Sequence, residues 1–180
     1  MNVPLALTTV RILSVPVLVV VLLSDFRGNN VAAFAIFVLA TFTDTLDGYW
    51  ARKKKQITVL GQLLDPTADK LLVVSALICL VGNGAVPAWM GVIIIGREIA
   101  VTGFRALASA RGINIPASAL GKIKMALETG TVSLLLLGEK ILGQFYVLAG
   151  VGLWLTVIAA MVSAAEYYVR HAPKVLSSRP

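Results

Sequence analysis

The chain has 180 residues, 58% of them hydrophobic and only 14% charged, with a net charge of +7. Soluble proteins carry charge on about 25% of their residues, so this composition excludes an ordinary water-solvated globule and points to a bilayer as solvent. The cations are not interleaved with aromatic residues as on a nucleic-acid surface. Nucleic acid is therefore excluded as a partner, and the positive charge is assigned to the loops of a membrane protein.

A spanning helix needs about 20 mostly apolar residues, and six segments qualify. The first covers 7–23. No small-residue cleavage site stands near Ser24 and Asp25, so it is expected to be a retained span rather than a cleaved signal. The second covers 31–52, and the third runs from Gly61 to just before Gly82. The fourth covers 87–108, the fifth 120–137 and the sixth 145–168. "RGNN", "GNGAVP", "RGINIP" and "GEKILG" supply turn residues between them. The expected fold is all-α: a polytopic membrane protein with six transmembrane helices in one domain over 1–170, followed by a short polar tail over 171–180. Cys79 lies in an apolar run and has no second cysteine to pair with.

Loop charges orient the spans. Arg52, Lys53, Lys54 and Lys55 follow span two; Arg105, Arg111, Lys122 and Lys124 surround the junction of spans four and five; Arg170, Lys174 and Arg179 follow span six. The opposite side carries Arg27 and Lys140. Positive loops stay cytoplasmic, so both termini are expected in the cytoplasm of a cell (inner) membrane protein.

Against this apolar background, "TDTLDGYWARKKKQITVLGQLLDPTADK" holds four aspartates. Asp44 and Asp47 are three apart near the end of span two, and Asp65 and Asp69 are four apart at the start of span three. Each spacing puts its pair on one helix face. With a short loop between the spans, the four carboxylates can converge across one helix seam. Asp44 lies eight residues before Arg52, about 12 Å of helical rise, which sets it below the headgroups. An Asp at a span centre costs about 2.5 to 3.5 kcal/mol on insertion scales, so these groups need a wet cavity or neutralisation. Hard divalent cations with oxygen ligands meet that need, and Mg²⁺ or Mn²⁺ suits a carboxylate set. His171 is the only histidine and lies in the tail, which argues against zinc. Gly48 and Gly61 stand one turn from Asp44 and Asp65 and clear space on the acidic face, Ala51 continues it, and Arg52 offers a fork suited to phosphate. Pro66 is expected in a first helical turn.

Those residues, D-x-x-D-G-x-x-A-R-x(8)-G-x-x-x-D-x-x-x-D, resemble the signature of the CDP-alcohol phosphatidyltransferases, complete from Asp44 to Asp69. The likeness extends over nearly the whole chain. It implies an integral membrane enzyme, commonly a homodimer, that binds two divalent ions and moves a phosphatidyl group from CDP-diacylglycerol to an alcohol, releasing CMP. It implies metal binding by Asp44, Asp47, Asp65 and Asp69, with Asp69 also as catalytic base. It further implies CDP binding by Gly48, Ala51 and Arg52, with Gly61 packing close beside the site and Thr8 as a candidate for the same pocket; Arg11 reads as an anchor at the start of its span or, alternatively, as a companion of Thr8 there.

Three segments, "GREIAVTGFRALA", "LGKIKMALET" and "NVPLALTTVRILSVP", are similar to those of the subgroup that uses sn-glycerol 3-phosphate as acceptor. That likeness makes Thr102, Arg105, Lys122 and Lys124 the expected ligands of the acceptor phosphate. Met125 departs from the subgroup, which often has Thr there. Arg97 is eight residues before Arg105 and so about 12 Å deeper, with its partner open between the neighbourhood of Glu98 and an acid on another helix. Glu128 lies inside span five with no partner evident. Trp50, Trp89, Tyr167 and Tyr168 read as interfacial anchors. Ala126/Gly130 and Ala160/Ala164 read as helix-packing pairs that could build a dimer face. The alternatives are the same chemistry on inositol phosphate, serine or a phosphatidyl lipid, or a small membrane transporter. The acids have no counterpart in spans four to six, unlike the paired broken helices of many transporters.

Overall fold

The structure, a computed structural model, describes the backbone of residues 3–54, 59–113, 115–116 and 118–177, and the side chains of 9–43, 70–113, 115–116, 118–173 and 175. The regular elements among these residues are all helical: α1 (Val3–Leu23), α2 (Asn29–Lys54), α3 (Val59–Gly82), α4 (Ala88–Ala110), α5 (Ala119–Leu137), a short α6 (Glu139–Leu142), a 3₁₀ turn at Gly143–Tyr146, and α7 (Val147–Ser177). Six are long, and they coincide with the six apolar segments. Among the described residues one stretch, Glu139–Pro173, is long and apolar enough to cross a membrane, with a mean hydropathy of 2.2 over its most apolar window. Thr9–Leu23, Asn29–Thr43 and Lys70–Gly82 are shorter apolar stretches.

Three local expectations are corrected. α3 begins at Val59, so Pro66 falls in the helix interior and not in the first turn. There it removes one backbone donor from the ladder. "GEKILG" is not a plain turn, because Glu139–Leu142 forms α6 between Gly138 and Gly143, both at positive φ. The polar C-terminal segment is helical through Ser177 despite Pro173. Tertiary contact accounts for this: Val175 is fully buried among Val101, Ala108, Ile115 and Tyr167, and its carbonyl accepts from Arg111 Nη1.

The chain forms two compact units, Met1–Ala85 with Val132–Tyr146, and Val86–Thr131 with Val147–Pro180. In the first, α1 packs on both α2 and α3, and these two meet less extensively among the described residues. Leu18, Leu22, Phe37, Leu72, Ala76 and Leu77 are buried. Asn30 Nδ2 donates to the Leu137 carbonyl at 3.1 Å and ties the start of α2 to the end of α5.

In the second unit α4 packs on α7. α5 joins α7 closely enough that a Cβ on Gly152 would stand 2.6 Å from Thr131 Oγ1. Thr131 and Thr156 hydroxyls meet at 3.2 Å across the same contact. The polarity of this unit is inverted. Val92, Ile99, Trp154, Ile158 and Val162 are exposed, while Lys124, Glu128 and Ser163 are buried. Water as solvent selects the opposite arrangement, and lipid selects this one.

Candidate functional site

The acidic motif is carried by two helices of the first unit. Asp44, Asp47, Gly48, Ala51 and Arg52 lie on α2, and Gly61, Asp65 and Asp69 lie on α3. Thr8 is on α1. The side chains of these nine residues fall outside the described residues. What the structure adds is their setting: α1 is the helix that both motif helices share.

Arg11 is the residue of α1 whose placement departs most from its sequence. A cation near the start of a span is ordinarily an exposed anchor, yet Arg11 retains only 2% of its surface. Its Nε donates to the carbonyl of Ala40 on α2 at 3.4 Å. Ala40 is one turn before Asp44, so Arg11 reaches the helix that bears the first half of the motif. Thr41 and Thr43 donate to the carbonyls of Phe37 and Leu39 at 2.9 and 2.6 Å, which quiets their hydroxyls in the same apolar stretch.

The second unit holds a buried ionic network. Lys124 Nζ on α5 lies 2.5 Å from Glu98 Oε1 on α4 and 2.7 Å from Glu128 Oε2, one turn further along α5. Arg97 Nη1 lies 2.6 Å from the same Glu98 oxygen, and Arg97 Nη2 donates to Ser163 Oγ on α7 at 2.9 Å. Three helices are thus joined through two cations and two anions. Arg97 pairs with Glu98 itself, and Glu128 has Lys124 as its partner. Glu128 Oε1 and Arg97 Nε are buried without a hydrogen-bond partner among the described residues. Sequence reading left Arg97, Glu98 and Glu128 without an assigned role. A signal existed: Glu98, Thr102 and Arg105 stand at i, i+4 and i+7, one face of α4.

The four expected phosphate ligands divide. Thr102 is partly buried and donates to the Glu98 carbonyl at 2.6 Å. Arg105 keeps an exposed side chain and reaches the Ile115 carbonyl at 3.5 Å. Lys122 is exposed, whereas Lys124 retains 2% of its surface. The separation follows from helix geometry, since residues two apart point about 200° from each other. Lys124 turns inward to carboxylates and Lys122 turns outward.

Local sequence sets these positions. Ser118 caps α5, its hydroxyl accepting from the Gly121 amide at 3.0 Å. α4 ends in a Schellman motif, with the Gly112 amide on the Ser109 carbonyl and the Ile113 amide on the Ala108 carbonyl, each at 2.9 Å. Gly112 takes φ +72° there, a conformation that a side chain would strain. Tyr167 is not an exposed interfacial anchor. It is 4% exposed, packs edge-on against Phe104, and its hydroxyl has no hydrogen-bond partner among the described residues. Trp89, by contrast, is half exposed, edge to face with Trp154.

Comparison with known proteins covers both units. The profile of the family described as CDP-alcohol phosphatidyltransferase matches residues 1–164. The CDP-diacylglycerol–glycerol-3-phosphate 3-phosphatidyltransferase of Bacillus subtilis is 38% identical, over 94% of this chain and 95% of its own. The protein of the same name from Rickettsia felis is 33% identical over 93% of each chain. A probable phosphatidylglycerophosphate synthase of Mycobacterium tuberculosis is 36% identical, over 91% of this chain and 78% of its own. With a complete acidic motif on α2 and α3 and a family match that runs through α4, α5 and most of α7, this chain belongs to the CDP-alcohol phosphatidyltransferase family.

Proposed function

We propose that the protein transfers the phosphatidyl group of CDP-diacylglycerol to sn-glycerol 3-phosphate, forming phosphatidylglycerophosphate and CMP in phospholipid synthesis. The observation that carries this reading is the complete D-x-x-D-G-x-x-A-R…G-x-x-x-D-x-x-x-D motif in a chain similar along its length to phosphatidyltransferases named for that acceptor. The chain acts as a single domain over 1–170 with six membrane crossings, its termini and its site on the cytoplasmic side. The apolar exposed faces of α4 and α7 support a bilayer setting. The tail is 171–180, and the working form is a homodimer.

The donor set fits hard cations: four carboxylates at helical spacing, with no histidine or cysteine among them. Asp44, Asp47, Asp65 and Asp69 would hold two Mg²⁺ or Mn²⁺ ions. Such ions neutralise pyrophosphate charge and stabilise the leaving phosphate. Arg52 supplies a fixed positive fork to the nucleotide phosphate, while Gly48, Ala51 and Gly61 leave room for the CDP group, with Thr8 at the same pocket. The acceptor hydroxyl oxygen attacks the phosphorus that bears diacylglycerol. The bond from that phosphorus to the CMP oxygen breaks, and Asp69 takes the hydroxyl proton. The acyl chains remain in lipid throughout.

Thr102, Arg105 and Lys122 receive the acceptor phosphate. The exposure of Arg105 and Lys122 supports this, since both are available to a water-borne anion. Lys124, the fourth residue of that expected set, lies buried against Glu98 and Glu128, so it would reach the phosphate only by giving up one of them. The test is CMP release by purified protein with CDP-diacylglycerol, Mg²⁺ and a panel of acceptors: glycerol 3-phosphate, inositol phosphate, serine and phosphatidylglycerol. Glycerol 3-phosphate is expected to give the highest kcat/KM. A preference for another acceptor would reassign the substrate, and no CMP with any of them, beside ion flux in vesicles, would favour transport.

A further inference from the structure

We infer that the cleft between the α1–α2 turn and α6 is a binding site for a zwitterionic phospholipid headgroup, a phosphodiester that carries an ammonium group. The inference rests on the bilayer setting proposed above and adds a site apart from the acidic motif.

The cleft holds about 660 Å³ and is walled by Asp25–Val31 on one side and Glu139–Ile141 on the other. Small-ligand sites span about 300 to 1,000 Å³. Both walls belong to the first unit. They lie at the Asn29 end of α2, and Asp44 stands about 22 Å of helical rise further along that helix. The cleft therefore opens at the membrane surface opposite the acidic motif. Polar contacts fix its walls. Asn29 Nδ2 donates to the Ser24 carbonyl at 2.8 Å and holds the turn, and Asn30 Nδ2 donates to the Leu137 carbonyl at 3.1 Å, just before α6. A Cβ on Gly138 would stand 2.6 Å from Asn30 Nδ2, so the two walls are in contact there.

Charge identifies the occupant. By the alternation of the long helices, the connections 24–28, 83–87 and 138–146 share this side. The charged residues in those connections are Asp25, Arg27, Glu139 and Lys140, and all four line the one cleft. Each wall offers one acid and one base. Among the described residues, no ion pair joins any of the four to another group. A simple anion would meet both acids as well as both bases, and a simple cation fares no better. A ligand of both signs finds a complement for each: its phosphate at Arg27 and Lys140, its ammonium at Asp25 and Glu139. Phe26, Val31 and Ile141 also line the cleft and stand about half exposed. They give acyl chains an apolar border while the headgroup occupies the polar part.

The experiment uses the full chain in detergent micelles, titrated with phosphatidylethanolamine or with phosphatidylglycerol, and reads bound lipid by native mass spectrometry. Phosphatidylethanolamine is expected to bind about 10-fold more tightly than phosphatidylglycerol. Glu139→Gln is expected to weaken phosphatidylethanolamine by about 5-fold without weakening phosphatidylglycerol, whereas Arg27→Gln weakens both lipids by about 5-fold. A general loss of structure does not produce that difference between an acid and a base. Both KM values for CMP release should stay within about 2-fold of the parent, because the cleft is distant from the acidic motif. Should Glu139→Gln fail to fold, Asp25→Asn takes its place with the same expected result. Glycerophosphoethanolamine, the same headgroup without acyl chains, is expected not to displace the lipid at about 100-fold excess. Phosphatidylglycerol binding as tightly as phosphatidylethanolamine would overturn the inference, because the cations alone would then hold the lipid. An unchanged affinity for phosphatidylethanolamine in Glu139→Gln would overturn it as well. Displacement by glycerophosphoethanolamine would overturn it in favour of a water-borne phosphodiester.

Discussion

The two units place charge inside an apolar chain in opposite ways. In α2 and α3, four carboxylates stand within 26 residues, and Arg52 is the one cation of the motif that accompanies them. In α4 and α5, two carboxylates meet two cations within hydrogen-bonding distance. The first gathers four carboxylates at helical spacing, with Arg52, Lys53, Lys54 and Lys70 on the same two helices, and under the proposed function those acids take ions from outside. The second pairs its acids and cations directly, Lys124 with Glu98 and Glu128, and Arg97 with Glu98. We read the first as the proposed ion site and the second as a strut between helices. The difference teaches that burial of a charge is not enough to name its role; the sum over its neighbours decides.

That contrast can be broken most strongly at Asp69. Asp69→Asn removes the proposed general base while keeping the volume, and turnover is expected to fall by about 10²- to 10⁴-fold with folded protein still recovered. Near-parental kcat in that variant would strip Asp69 of its role. Removal of divalent cations by a chelator should abolish CMP release, and Mg²⁺ or Mn²⁺ should restore it. The thermal midpoint of Lys124→Met should respond to the same chelator by no more than the parent's does, because the strut needs no ion. Activity that survives full chelation would undo the distinction between the two regions.

A smaller effect is expected at the rim. Lys122→Ala should raise the KM for glycerol 3-phosphate by about 5-fold, the loss of one exposed charge contact of roughly 1 kcal/mol, and leave the KM for CDP-diacylglycerol nearly unchanged. Equal changes for both substrates would argue against a phosphate contact. The smallest is expected at Ser118. Ser118→Ala removes the cap of α5 and should lower stability by about 1 kcal/mol, read as a modest drop in Tm with both KM values kept. A large acceptor defect there would mean that the start of α5 belongs to the site rather than to its scaffold.

Much of the first region was legible because its information is local. Aspartates at three and four residues on apolar helices share a face by geometry alone, and glycine one turn away opens that face, so the motif reads directly from spacing. The second region was less legible. Lys122 and Lys124 look alike in "LGKIKMALET", but their separation of two residues turns one out and one in. The i, i+4 relation of Lys124 to Glu128 was available. Its third partner, Glu98, is 26 residues away and on another helix. Arg11 misled for the same reason. Near the start of an apolar helix it resembles an anchor, and its burial against the Ala40 carbonyl depends on how α1 meets α2.

The sequence by itself determined the apolar character of the chain, its six long helical segments and the acidic motif, since hydropathy, helical period and residue type act over a few turns of one helix. Tertiary structure decided that the C-terminal helix persists past Pro173, where Val175 is buried, and that Lys124 faces carboxylates. Each of these depends on which surfaces of distant helices come together. Contacts between distant helices are set by the sum of packing and charge pairing across the whole fold, and no single segment encodes that sum.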